Sequence, residues 1–185
     1  LVNLLVADCD ALGQAAPGQV EILRVLVPGR GAAWLKRQGK WEALHKPMPE
    51  SMDGWEQYWY DATGNPISRD QDVRPSTGIQ WIAGSQEIAD DNGYRLSGGR
   101  LVYKRRVSGS GRDDWVVQLV CRDAFNGLPW WTRQTVRKSH FNIPLMGKLT
   151  PLVFTGGRIY TVLGAEGEPL VAIDADTGET VHIYE

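Results

Sequence analysis

Residues 121–131 read CRDAFNGLPWW, and residues 172–185 read AIDADTGETVHIYE. Each stretch places an aspartate, a glycine four positions later, and then a run of strand-forming residues. An aspartate side chain accepts hydrogen bonds from backbone amides of the turn that follows it, and glycine takes a positive φ at no steric cost. Asp123, Asn126 and Gly127, and again Asp174, Thr177 and Gly178, are therefore read as structural turn residues. Trp130 and Trp131 then begin an outer strand, where a large ring can cover the joint between neighbouring sheets. Neither carboxylate can serve as a catalytic base without giving up its turn.

The match extends outward. YRLSGGRLVYKRRV and LVFTGGRIYTVLG align across Gly98–Gly99–Arg100 and Gly156–Gly157–Arg158, in the same order as the two aspartate turns. The offset is 58 for the first pair and 51 for the second, so the earlier copy holds seven extra residues, assigned to a longer hairpin loop around RRVSGSGRDD. Insertions in loops cost little. Each copy divides into four short strands, of which PLVFT, RIYTVLG, PLVAIDA and ETVHIYE are the second set. Leu170, Val171, Ala172 and Ile173 are apolar on both faces of their strand, as in a sheet covered on both sides. Repeats of this length with four strands each predict a mainly β fold of two to three four-stranded antiparallel propeller blades. The repeats span about 94–135 and 151–185, and GIQWIAG at 78–84 is the expected outer strand of a partial third blade.

The first residues differ in style. LVNLLVAD reads as a buried strand, and APGQVEILRVL as a helix with Val20, Ile22, Leu23 and Leu26 along one side. VPGRG stops that helix, and AAWLKR returns as a second strand. Strand, helix and strand form a short N-terminal α/β segment that calls for a parallel sheet. ALHKPMPESMDGW, at 43–55, is expected to be a connector, which sets the domains at 1–48 and 49–185. The opening Leu1 and the apolar run behind it suggest a piece of a longer chain.

Composition narrows the function classes. A hydrophobic content of 42% suits a packed soluble core, and a net charge of -2 offers no attraction for nucleic acid or an anionic membrane. No apolar run approaches the roughly 20 residues of a membrane span. Cys9 and Cys121 lack metal-ligand spacing and read as small buried hydrophobes, and His45, His140 and His182 form no ligand set. KRR at 104–106 reads as a solvated strand edge, and SGSG at 108–111 as a loop tip. Asp8 and Asp10 follow a strand and are expected to cap the next turn. Trp55, Tyr58, Trp59 and Tyr60 read as core packing, with an aromatic cage for a ligand as the alternative.

PLVAIDADTGET resembles the blade signature of PQQ-like propellers. GWEQYWYDATGNPIS, IQWIAG and CRDAFNGLPWW resemble a bacterial group of large PQQ-binding-like propeller repeat proteins, some with a methyltransferase-like segment. EILRVLVPGRGAAWL is similar to the late helix and strand of class I SAM-dependent methyltransferases, with Arg30 where a second glycine is usual. The first resemblance covers about residues 50–185 and the second 1–46. Together they imply a quinoprotein-like propeller fragment with a binding or scaffold role, or a fragment of a methyltransferase whose propeller presents substrate. The glycine-rich SAM loop and the paired cysteines of the quinone enzymes are not in the sequence, and a quinone enzyme would also need a complete ring and a calcium site. Neither PQQ nor SAM is therefore expected to bind, and no catalytic, cofactor or metal residue is assigned. The implied partners are further blades of the parent chain and a protein, polysaccharide or small molecule on the propeller face. A periplasmic or extracellular setting is what the family resemblance implies.

Overall fold

A computed structural model describes the chain except for residues 73–74, 76–77, 83–88, 109–113, 140–151 and 164–168. His140, the end of GIQWIAG and the tip of the SGSG loop lie outside the described residues. The described residues are mainly β, in three sheets, and the chain divides into two compact units, Leu1–Met52 and Asp53–Glu185.

In the first unit, β1 (Leu4–Asp8) runs parallel to β2 (Ala32–Arg37), which turns back into antiparallel β3 (Lys40–His45). Between β1 and β2 lie α1 (Cys9–Leu12), a 3-10 turn and α2 (Gln19–Val25). Ile22 and Leu26 pack with Cys9, Ala33 and Leu35, and Leu5, Ala7, Leu23 and Leu44 complete that core. Val20 does not join it: a seven-residue helix offers too narrow a buried face, and Val20 is 84% exposed. The expected connector also begins late. Ala43, Leu44 and His45 belong to β3, because Gln38 and Gly39 supply a tight reversal with both φ angles positive, at 50° and 75°.

The second unit holds two four-stranded antiparallel sheets. One contains β4 (Ala89–Ser97), β5 (Arg100–Ser108), β6 (Asp114–Asp123) and β7 (Pro129–Ser139) in sequence order. The other contains β8 (Leu152–Thr155), β9 (Arg158–Val162), β10 (Leu170–Asp174) and β11 (Thr180–Tyr184), also in sequence order. The two glycine pairs take alike turns, with φ of 55° and 73° at Gly98 and Gly99 and 58° and 74° at Gly156 and Gly157. The extra residues of the first copy do not simply enlarge a loop. They lengthen the ladder, since β5 and β6 remain paired out to Ser108 opposite Trp115.

One core lies between these sheets. Val102, Leu119 and Cys121 of the first meet Leu152, Phe154, Ile159, Val171, Ile173 and Ala175 of the second. Basic side chains cross the same joint: Arg95 Nε donates to the Leu152 carbonyl at 2.7 Å and Lys104 Nζ to that of Val162 at 3.2 Å. Lys104 is thus buried rather than part of a solvated edge. Its aliphatic stem lines the joint while its ammonium finds a carbonyl. On the far face of the second sheet, Val153, Tyr160, Ala172 and His182 stand in one cross-strand row. Within this unit no other described sheet covers that face.

Candidate functional site

The two aspartate turns are built bond for bond alike. Asp123 Oδ1 accepts from the amides of Phe125 and Asn126 at 2.8 and 3.1 Å, and Asp174 Oδ1 from those of Asp176 and Thr177, both at 2.9 Å. The Gly127 and Gly178 amides return to the Asp123 and Asp174 carbonyls, each at 2.9 Å. The Asn126 Oδ1 and Thr177 Oγ1 atoms then accept from the Leu128 and Glu179 amides. Finally, Ala124 and Ala175 bond to Gly99 and Gly157, tying each turn to the glycine pair of its own sheet. The Asp174 carboxyl is held below its ordinary value, first by the Thr177 amide, which burial opposes, with the Asp176 amide lowering it further. Asp123 is 1% exposed, and its Oδ2 has no hydrogen-bond partner among the described residues.

Each turn also receives a tryptophan. The Trp131 indole N–H donates to the Ala175 carbonyl at 2.9 Å, and a Cβ on Gly178 would lie 2.7 Å from the ring. Trp81 repeats the arrangement one step earlier: its indole donates to the Ala124 carbonyl at 3.0 Å, and a Cβ on Gly127 would lie 2.5 Å from it. With φ of 72° and 75°, Gly127 and Gly178 therefore satisfy two demands at once, a left-handed backbone and a bare surface for the ring. Trp130 does not play this part. It lies under the Arg100 guanidinium, 5.1 Å from its ring centroid, and Arg100 reaches across to Asp176. Residues 78–82 form no strand, yet Trp81 stands to Gly127 as Trp131 stands to Gly178. The signal was present in the spacing, since Trp81 precedes Ala124 by nearly the distance from Trp131 to Ala175.

A second cluster surrounds Asp53, which the sequence did not single out. Its Oδ2 accepts from the Tyr60 hydroxyl at 2.5 Å, the Arg69 amide at 2.7 Å and the Ser68 hydroxyl at 3.4 Å, and Oδ1 accepts from the Gly54 amide. Burial pushes this carboxyl upward, but the hydrogen bonds from Tyr60 and the three other donors outweigh it and leave the group below its ordinary value. Tyr60 lies at a φ of 73°, where glycine is usual, and its hydroxyl is raised above the ordinary value, first by the bond to Asp53. Gln57 and Tyr60 bond amide to carbonyl in both directions, which puts Tyr58 and Trp59 at the tip of a two-residue reversal. Of the four aromatic residues expected in the core, Tyr60 is buried and Trp55 half-buried. Tyr58 and Trp59, at the tip of that reversal, are 45% and 55% exposed.

In the first unit, Asp8 accepts from the Ala11 amide as the cap of α1 and pairs with Lys36 Nζ at 3.0 Å. Its carboxyl is lowered first by Lys36 and next by that amide. Asp10 accepts from the amides of Gln38 and Gly39, both at 2.8 Å, so it fastens the β2–β3 reversal rather than the turn directly after it. Cys9 and Cys121 are buried thiols outside any disulfide among the described residues, and Cys121 Sγ donates to the Ala175 carbonyl at 3.7 Å. Among the described residues no group of three or more His, Cys, Asp or Glu is placed to hold a metal, and no helix is long and apolar enough to cross a membrane. No protein-family model matches the chain, and no curated protein matches it at a significant level.

Proposed function

We propose that this chain is a non-catalytic binding scaffold, part of a larger PQQ-like propeller whose sheets are joined by tryptophans seated on glycine turns. One observation carries the reading. The lock formed by Trp131 on Gly178, between the two sheets, is repeated by Trp81 of the 78–82 segment on Gly127. The register supports the reading, since His182 pairs with Ala172 as Trp131 pairs with Cys121, making His182 the counterpart of that tryptophan. The far face of the β8–β11 sheet is then the seat of a further blade of the parent chain, and one oxygen of each recurrent carboxylate is taken up by its own turn.

The methyltransferase-like reading of the first unit has its own support in the parallel β1–β2 pair with helices between. Its candidate acids are committed to structure, Asp8 to a helix cap and a lysine, Asp10 to a hairpin. Calorimetric titration of the protein with SAM and with PQQ separates the two readings. The scaffold reading expects no heat of binding from either, and micromolar binding of SAM overturns it. Electron microscopy of the parent protein is expected to show a ring of sheets.

A further inference from the structure

β4 and β8 stand at the ends of their sheets, β4 paired only with β5 and β8 only with β9. An edge strand presents amides and carbonyls that draw in an extended chain. Here the place is taken by residues 54–56. The Trp55 amide donates to the Leu96 carbonyl of β4 at 2.7 Å and the Leu96 amide to the Trp55 carbonyl at 2.9 Å, while the Phe154 amide of β8 donates to the Glu56 carbonyl at 2.9 Å. One short segment thus serves both edges, and it does so with main-chain groups that any sequence carries. Side chains enter at two points: a Cβ on Gly54 would lie 2.6 Å from the Leu96 carbonyl oxygen, and the Ser97 hydroxyl donates to Glu56 Oε1 at 2.8 Å. The Trp55 side chain turns back on its own loop, its indole donating to the Tyr58 carbonyl at 3.3 Å and its ring meeting that of Tyr60 edge-on at 5.6 Å. The Asp53 hub draws on Gly54, Tyr60, Ser68 and Arg69, all of the same loop. The loop is braced within itself, and the contact between Trp55 and β4 is a single bridge outside the ladders.

We propose that the adjoining edges of β4 and β8 form a binding site for one extended peptide strand, held closed in cis by residues 54–56, an inference that rests on the binding-scaffold reading and names its partner class. The segment already seated on the edges shows what fits them: an extended strand with glycine where the chain passes the Leu96 carbonyl and an acid two places later for the Ser97 hydroxyl. Strand addition of this kind takes its affinity from the main chain and its selectivity from a few alternate side chains. The tethered segment competes at an effective concentration of about millimolar. A partner strand therefore binds with its own affinity reduced by the fraction of molecules whose edges stand open. The cis segment sets a threshold on capture.

Fluorescence anisotropy of a labelled peptide of residues 52–58, MDGWEQY, with the whole 185-residue protein is the test. The variant Gly54→Val, whose side chain collides with the Leu96 carbonyl, is expected to bind this peptide about tenfold or more tightly than the unaltered protein does. The same peptide carrying Gly54→Val should bind neither protein. Hydrogen exchange should show the Leu96 and Phe154 amides released in the variant and protected again by the peptide, with the β5–β6 and β9–β10 amides slow throughout. Absent binding, or equal binding by the two proteins, overturns the proposal, as does equal binding of the substituted peptide. Loss of protection across β5–β6 and β9–β10 in Gly54→Val also overturns it, because residues 54–56 would then be part of the folded core and not an exchangeable occupant. These readouts involve neither SAM nor PQQ, so failure of the strand site leaves the scaffold reading to its own titration.

Discussion

Gly127 and Gly178 carry two constraints that a substitution separates. An alanine at Gly157 meets no atom within 4 Å and pays only for its φ of 74°, about 1–2 kcal/mol. An alanine at Gly178 pays the same strain at a φ of 75° and also drives its methyl into the Trp131 ring. We expect Gly178→Ala to destabilise the protein by about 3 kcal/mol and Gly157→Ala by about half of that, measured by urea unfolding; equal losses would show that the ring contact contributes nothing. Titration gives a second residue-scale prediction. The Asp53 carboxyl is lowered by its bonds from Tyr60, Arg69, Gly54 and Ser68 in spite of burial, so its folded value lies below its unfolded one. Such a group adds stability that is complete above the ordinary carboxylate range and is lost as pH falls through the lowered value. Unfolding measured from pH 7 down to pH 2 should show a steep acid limb that Asp53→Asn flattens. The aspartate turns were legible in the sequence because donor, acceptor and glycine lie within five residues. The Asp53 hub was not, since its partners at 60, 68 and 69 come together only once the loop closes.

At the scale of elements, periodicity identified strands well and their ends poorly. β10 stood out because an unbroken Leu170–Ile173 run has no polar face, and Ala172 and Ile173 are indeed fully buried. β3 was missed, because KWEALH has little strand character of its own and is drawn into the sheet by the reversal before it. Asp10 holds that reversal through the amides of Gln38 and Gly39. Replacing it with alanine is therefore expected to speed hydrogen exchange at those two amides while leaving the β1–β2 amides protected. Unchanged exchange at Gln38 and Gly39 would show that the turn residues alone set the hairpin. Residues 78–82 teach the converse: the segment forms no strand, yet Trp81 still reaches the Ala124 carbonyl. The docking contact is made by two neighbouring side chains on one turn, Trp81 on the Ala124 carbonyl and Gln80 on that of Phe125, without ladder pairing at 78–82.

Across the whole molecule, the apolar surface exceeds what the described sheets cover. In the first unit Leu4, Val6, Trp34 and Trp41 are 59%, 62%, 47% and 50% exposed, and Leu4, Val6 and Trp34 share the face of their sheet opposite the core. In the second, β11 is an edge strand with Val181, Ile183 and Tyr184 exposed, and the row from Val153 to His182 faces no other described sheet of that unit. Exposed edges and broad apolar faces pair with whatever complements them, and a second copy is the partner always at hand. This chain should therefore self-associate with rising concentration, read by size-exclusion chromatography with light scattering. A charge placed on each surface tests the cause: Val6→Lys and Tyr184→Lys together should shift the protein toward monomer without loss of its cooperative melt, since neither side chain belongs to a core. A monomer with a sharp melt at every concentration, before any substitution, would mean that these faces do not drive association and that no further sheet is needed on β11.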